Sequence, residues 1–319
     1  MRIRKEYIVL VAVILGLSLY LWQYSADRVH YRLPELPSLS GEDITRVEIK
    51  GPEQTLHLRK DEGGWLVGAQ GHRADRNKVR TLLDKLRSVE LSALVSRSRN
   101  FKRYDLGGDQ RIRVRAWQGE EPVRTLFVGK VAPNYSSTYV KLPGNPNVYL
   151  AQKNLRTALN KDAGDLRDKL VLSFDAGSIE RIEAGGGNRT QVLERGASAA
   201  NGTSWTWESG SGSADSSAQK LLRALENLRC ANYLNPEQLT GAGEPAYTVL
   251  LAGKKEHSLS MYVKDTEEKG GKSEGRDYIV TSSGSPQPFE LSDFKEKELV
   301  RALGGILGVK QDAGLKNAD

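Results

Sequence analysis

The chain opens with a run that has no polar face. After MRIRKE comes YIVLVAVILGLSLYLWQY, an uncharged stretch in which Ser18 and Gln23 are the clearly polar members. About 18 residues at roughly 1.5 Å each reach about 27 Å, close to the hydrocarbon thickness of a bilayer. The pattern predicts a transmembrane anchor within residues 1–25. Tyr7 stands at one end and Tyr20, Trp22 and Tyr24 at the other, where amphipathic rings favour the headgroup zone. Arg2, Arg4 and Lys5 precede the run, and the inward bias of basic residues puts the N-terminus in the cytoplasm and the bulk of the chain in the periplasm. A tyrosine in YSA occupies a position where signal cleavage wants a small side chain, so the anchor is expected to stay uncleaved.

The pattern then changes. Residues 26–43 carry Pro34 and Pro37 and show neither a helical nor an alternating period, which predicts an extended stalk. From Ile44, ITRVEIKG alternates apolar and polar positions and ends at glycine, the signature of a strand, and QTLHLRK and GWLVG continue in the same way. ADRNKVRTLLDKLRSVEL switches to a period near 3.6 and sets Val79, Leu82, Leu83 and Leu86 on one helical face. RIRVRAW, RTLFVG, STYVKL and NVYLA follow as strands, with QGEEP, KVAPNYS and PGNPN between them as turns. The unit reads β-β-β-α-β-β-β-β, an antiparallel meander beside one helix.

The same order returns from Ile179. IERIEAGG echoes ITRVEIKG, TQVLERG supplies a second strand, and SWTWES places Trp205 where GWLVGA has Trp65. Leu221, Leu222 and Leu225 repeat the spacing of Leu82, Leu83 and Leu86, while AYTVLLAGKKE and DYIVTSSGSPQPFEL answer RIRVRAWQGEE and TYVKLPGNPNVYLA. Such agreement in order predicts an internal duplication. The expected fold class is α+β: two tandem, similar lobes with mainly antiparallel sheets, spanning 44–175 and 176–319, the second with a C-terminal tail. Two units are too few for a solenoid, so lobes lying side by side or sharing a sheet are expected, each ending in a short helical segment. The polar stretches GASAANGTS, SGSGSADSS and DTEEKGGKSEGR of the second lobe are expected to form mobile surface loops.

Composition adds little beyond bounds. The chain is 38% hydrophobic, 27% charged and 7% aromatic, an ordinary globular balance outside the first span. A net charge of +7 permits attraction to anionic lipid, acidic polymer or nucleic acid without choosing among them. The single cysteine, Cys230, excludes an intramolecular disulfide; LLRALENLRCANYL looks helical and suggests a packed thiol.

Several stretches together resemble the bacterial domain of unknown function 4340. They are ITRVEIKG, GGWLVGAQGHRADRNKVRTLLDKLRSVEL, YDLGGDQRIRV, LFVGKVAPNYSSTYVKLPGNPNVYLA and LRDKLVLSFDAGSIERIE, covering about Ile44 to Glu183, with the second unit repeating them more loosely. The resemblance implies a membrane-anchored extracytoplasmic protein, associated with ABC transporter components of the gliding-motility auxiliary type. It carries no catalytic residues to transfer, which supports a role other than catalysis.

A search for chemistry agrees with that expectation. His30, His57, His72 and His257 share no ligand spacing. GGKS at 270–273 mimics the end of a phosphate-binding loop, but Thr266 stands where its first glycine is needed. Asp162, Asp165 and Asp168 recur every three residues and could converge for metal or acid–base work, yet Lys161, Arg167 and Lys169 interleave with them, which favours a helix start with local ion pairs. AGGGNRT runs from strand to strand and reads as a turn, and no G-x-S-x-G occurs. No catalytic residue, cofactor or metal site is expected.

One cluster could bind. SRSRNFKRY offers Arg97, Arg99, Lys102 and Arg103 with Phe101 and Tyr104 among them. In a cytosolic protein this would suggest single-stranded nucleic acid. Outside a membrane the candidate anions are lipid headgroups, surface polymers or an acidic partner, and no nucleic acid is expected. The expectation is therefore a single-pass inner-membrane protein whose periplasmic lobes act as an accessory or docking subunit, of an ABC-type export complex. The alternatives are a periplasmic enzyme acting on envelope polymer with carboxylates drawn from both lobes, and a spacer between membrane and envelope.

Overall fold

The structure, a computed structural model, describes residues 5–25, 31–37, 39, 43–198, 202–210, 212–264 and 277–308, without the side chains of 5–9, 21–25, 197–198 and 202–203. The chain forms two units, Met1–Arg167 and Asp168–Asp319.

Helix α1 runs over Lys5–Ser25, 21 residues. Its described side chains, positions 10–20, are all exposed, with Leu15 at 62% and Leu19 at 64%. Among the described residues no helix is long and apolar enough to cross a membrane. Tyr20 is 59% exposed, whereas the side chains of Tyr7, Trp22 and Tyr24 lie outside the described residues.

The first unit holds β1 (Arg46–Lys50), β2 (Thr55–Asp61), β3 (Gly64–Val67), β4 (His72–Arg73), α2 (Arg76–Arg87), β5 (Leu91–Ser96), β6 (Ile112–Gln118), β7 (Glu121–Val131), β8 (Ser137–Lys141), β9 (Val148–Gln152), α3 (Leu155–Leu159) and α4 (Ala163–Leu166). The strands make one antiparallel sheet of nine in the order β4-β3-β2-β1-β6-β7-β8-β9-β5. Asp75 caps α2 by accepting from the Asn77 and Lys78 amides. The face of Val79, Leu82, Leu83 and Leu86, all buried, packs on Val47, Ile49, Leu58, Val114 and Leu126, the alternate residues of the central strands.

The second unit holds β10 (Leu170–Leu172), β11 (Ile179–Gly186), β12 (Arg189–Ser198), β13 (Gly202–Trp207), α5 (Asp215–Leu225), β14 (Leu228–Arg229), β15 (Asn232–Tyr233), β16 (Tyr247–Gly253), β17 (His257–Val263), β18 (Tyr278–Ser282), β19 (Ser285–Glu290) and α6 (Asp293–Leu307). Eight of its strands follow the order β13-β12-β11-β16-β17-β18-β19-β15. With β4 set aside, the two orders match strand for strand, and where β4 stands in one unit the other has an isolated bridge, Thr206 to Ser213. Even a local detail repeats: the Trp65 carbonyl accepts from the Ala74 amide at 2.8 Å, and that of Trp205 from the Ala214 amide at 2.7 Å. The architecture is duplicated, and each unit has its own sheet.

Several expectations change. β5 and β15, the outermost strands, were not visible in the sequence pattern; each is recruited through a distant partner, β5 by β9 and β15 by β19. Leu170–Leu172, expected in the first lobe, pairs with β14 and so belongs to the second unit. The helix expected to run through Cys230 stops at Leu225, where Glu226 turns extended at ψ 125° and Asn227 follows in a left-handed φ of 54°, and the buried thiol follows β14. Ser213 to Ser217, expected in a loop, holds the bridge to Thr206 and starts α5. The closing helix α6 is 15 residues long, where a short segment was expected.

The stalk also differs from expectation. Leu33, Leu36 and Leu39 pack against the core of the first unit. Arg124, only 4% exposed on the core side of β7, donates to the Pro37 carbonyl, and Arg87 donates to that of Leu39 at 2.9 Å. Burial holds the Arg124 pKa below its ordinary value. The stretch 265–276, with GGKS, and the tail 309–319 lie outside the described residues, as do His30 and positions 199–201.

Candidate interaction surface

Strand alternation determines which side chains face away from the first core. In β1 the core takes Val47 and Ile49, leaving Arg46, Glu48 and Lys50 on the other face. Register carries this face across the sheet. Arg46 stands opposite Arg59 and Trp117; Glu48 opposite His57 and Arg115; Lys50 opposite Thr55 and Arg113. Arg113 then meets Phe127, and Phe127 meets Lys141. Arg46, Lys50, Arg59, Arg113, Arg115 and Lys141 thus share a face with two carboxylates, Glu48 and, at the β2 end, Asp61, which is taken up by Arg73 at 2.6 Å.

The cations are placed by rings as much as by charge. The Arg46 guanidinium lies 4.3 Å from the Trp117 ring centroid. Arg111 and Lys141 both approach the Phe127 ring, at 4.6 and 4.9 Å, and Lys141 lies 5.3 Å from the Phe101 ring. Burial, and then the nearby Arg111 charge, hold the Lys141 pKa below its ordinary value. Arg113 reaches Glu48 at 3.0 Å, yet its Nε is buried with no acceptor among the described residues. The side chains of Arg115, Lys50 and Arg59 have no ion-pair or hydrogen-bond partner among the described residues.

The cluster read from SRSRNFKRY joins one end of this face. Phe101–Tyr104 forms a 3-10 turn closed by the Asp105 amide on the Lys102 carbonyl (3.2 Å) and the Leu106 amide on that of Phe101 (3.0 Å). Phe101 and Tyr104 are half-buried; the Tyr104 ring packs on Tyr139 with centroids 4.9 Å apart. Gly129 of β7 admits the turn: a Cβ there would stand 2.1 Å from the Tyr104 carbonyl oxygen and 2.9 Å from Leu106 Cγ. Arg97, Arg99, Lys102 and Arg103 are exposed. The structure brings Phe101 to Lys141 and Tyr104 to Tyr139 on the sheet face, and leaves the four cations exposed in the segment around them. Sequence reading missed Arg46, Lys50, Arg59, Arg111, Arg113, Arg115 and Lys141, though the alternate arginines of RIRVRAW were a visible signal.

Other candidates do not converge. Among the described residues no group of three or more His, Cys, Asp or Glu side chains could hold a metal. His57 sits on β2, His72 bonds Gln70 at 2.7 Å, and His257 stacks 5.4 Å from Phe174. Burial first, then Arg167, lower the His72 pKa. Asp162 and Asp165 form the capping box of α4, and Asp168 pairs with Arg229 at 3.3 Å. AGGGNRT is the turn between β11 and β12, with Gly187 at φ 58°.

An antiparallel α+β lobe with an open basic face defines no reaction class. Residues 65–250 match the family described as Domain of unknown function (DUF4340). That is more than half of the chain, and the protein belongs to this family. No curated protein and no solved structure matches the chain.

Proposed function

We propose that this protein is a membrane-anchored, periplasmic binding subunit, serving as an accessory or docking component of an ABC-type export complex. The observation that carries the binding role is the cation-rich, ring-bearing face of the first sheet, where Glu48 and Asp61 are taken up by Arg113 and Arg73 and the side chains of Arg115, Lys50 and Arg59 stand without partners among the described residues. A solvated sheet face ordinarily mixes opposite charges across strands. Anchoring is supported by α1, whose Leu10, Val11, Val13, Ile14, Leu15, Leu17 and Leu19 are each more than half exposed. Such a continuous apolar surface calls for a nonaqueous surrounding. The basic residues before the span support an orientation with the N-terminus in the cytoplasm, and the rings at both ends support seating in the two headgroup zones.

The test is affinity purification of the full-length chain from native membranes in mild detergent. Co-recovery of an ATPase and a permease is the expected result, together with resistance of the chain to alkaline carbonate extraction. Repeated recovery of the chain without transporter subunits would overturn the docking role.

A further inference from the structure

The two sheets share one topology and differ on their outer faces. Register gives the equivalents. Arg46 and Glu48 correspond to Arg181 and Glu183, and Arg59 corresponds to Glu194. Lys50, Arg113, Arg115 and Trp117 correspond to Gly185, Thr248, Leu250 and Ala252. Phe127 and Lys141 correspond to Ser260 and Thr281. The second sheet satisfies its arginine, since Arg181 pairs with Glu194 at 2.5 Å and with Glu208 at 3.0 Å. The first sets like charges directly opposite each other, Arg46 against Arg59 and Lys50 against Arg113, an arrangement that destabilises a sheet. The same scaffold therefore folds without these cations, and the first copy retains them at a cost to its own stability. Residues that break a local rule without a structural gain mark function.

We infer that the outer face of the first sheet, from Arg59 to Lys141, is a docking site for an acidic peptide segment of a protein partner. Guanidinium groups dominate it, and their planar forks suit carboxylates. The Trp117 and Phe127 rings carry cations above them, so they hold arginine and lysine in place and are not free platforms for bases or sugars. Five strands at about 4.8 Å spacing span roughly 19 Å, and five residues along β1 span roughly 14 Å. That area suits an extended segment of about six residues and is small beside a standard globular interface of about 800 Å² per partner. Acidic side chains laid across Arg59, Arg46, Arg115 and Lys141 would relieve the repulsions that the fold leaves standing.

The site rests on the binding role proposed above but not on the identity of the complex. Fluorescein-labelled hexaglutamate is titrated against the full-length chain in nanodiscs, with hexaglutamine as the uncharged comparison, and anisotropy reports binding. Hexaglutamate should bind, weaken with added salt, and be displaced poorly by oligothymidylate or anionic phosphatidylglycerol vesicles. R59E recreates the pairing of Arg181 with Glu194. It should raise the melting temperature of the first unit while weakening hexaglutamate about threefold, opposite signs that a merely structural residue would not give. R59E/R115E should weaken it about tenfold, whereas K254E/K255E, two exposed lysines of the second unit, should leave it within twofold. R59Q serves where the reversal lowers expression, with a smaller loss expected.

Equal losses in the two double variants would overturn the site, as would absence of hexaglutamate binding alongside tight binding of vesicles or oligothymidylate. Failed hexaglutamate binding beside a successful transporter pull-down removes this site alone. The converse leaves the site and removes the transporter.

Discussion

Replacing Gly129 by alanine should detach the 3-10 turn from the first sheet. The added Cβ would fall 2.1 Å from the Tyr104 carbonyl oxygen and 2.9 Å from Leu106 Cγ. A backbone oxygen cannot swing aside like a side-chain tip, so the turn must move by about 1 Å or lift away. Forcing a methyl into such a contact costs roughly 1–3 kcal/mol. Lifting the turn re-exposes Leu106, now 1% exposed, at roughly 1.5–3 kcal/mol. The cheaper route sets the outcome, and local stability should fall by about 2 kcal/mol. Hydrogen exchange reads this directly at the Asp105 and Leu106 amides, which close the turn on the Lys102 and Phe101 carbonyls. Their protection should drop roughly 30-fold, since about 1.4 kcal/mol is tenfold. Gly108→Ala is the comparison: a Cβ there meets nothing within 4 Å, so protection should barely change. Leu106→Ala combined with G129A should be less than additive, because both loosen one segment. Unchanged protection in G129A, or an equal loss in G108A, would refute the account of how the turn is held.

Leu86→Ala and Leu225→Ala truncate fully buried residues of α2 and α5, and each should cost about 2–5 kcal/mol by urea unfolding of its own unit, with the other unit unaffected. Glu296 has its pKa raised by burial, aided by Asp277 and Asp293; its favourable contribution is complete below the unfolded-state pKa and lost as pH rises through the folded one. Glu296→Gln should therefore flatten the decline in melting temperature from acid to neutral pH. Asp215 has its pKa lowered, first by the Ser213 hydroxyl at 2.6 Å and then by the Trp205 amide at 2.7 Å. Its contribution is present above the unfolded-state pKa and lost as pH falls through the folded one. Asp215→Asn should lower the melting temperature at neutral pH, and the two curves should meet in acid.

Elements defined by their own periodicity were legible in the sequence: the α2 stripe of Val79, Leu82, Leu83 and Leu86, the alternation of β1 and β11, and the tryptophans of β3 and β13. Elements defined by distant partners were not. LSALVS alternates weakly, and only pairing with Val148–Gln152 makes it a strand. Arg124 looks like any surface arginine until its parity in β7, shared with Leu126 and Val128, places it on the core side. The docking face required cross-strand register, because no local window contains Arg59, Arg46, Arg115 and Lys141 together. SRSRNFKRY, a basic cluster compact enough to see in one dimension, touches that face through Phe101, whose ring lies 5.3 Å from Lys141.

Clamping of Leu33, Leu36 and Leu39 onto the first core shortens the leash. From Ser25, where α1 ends, to Leu33 there are eight residues, which extend to at most about 28 Å. If α1 spans the bilayer, the first lobe cannot roam; it is confined to the first few nanometres above the lipid, within reach of the loops of a neighbouring membrane protein. An acidic loop on such a neighbour would meet the basic face at high effective concentration, so even a weak contact would be occupied most of the time.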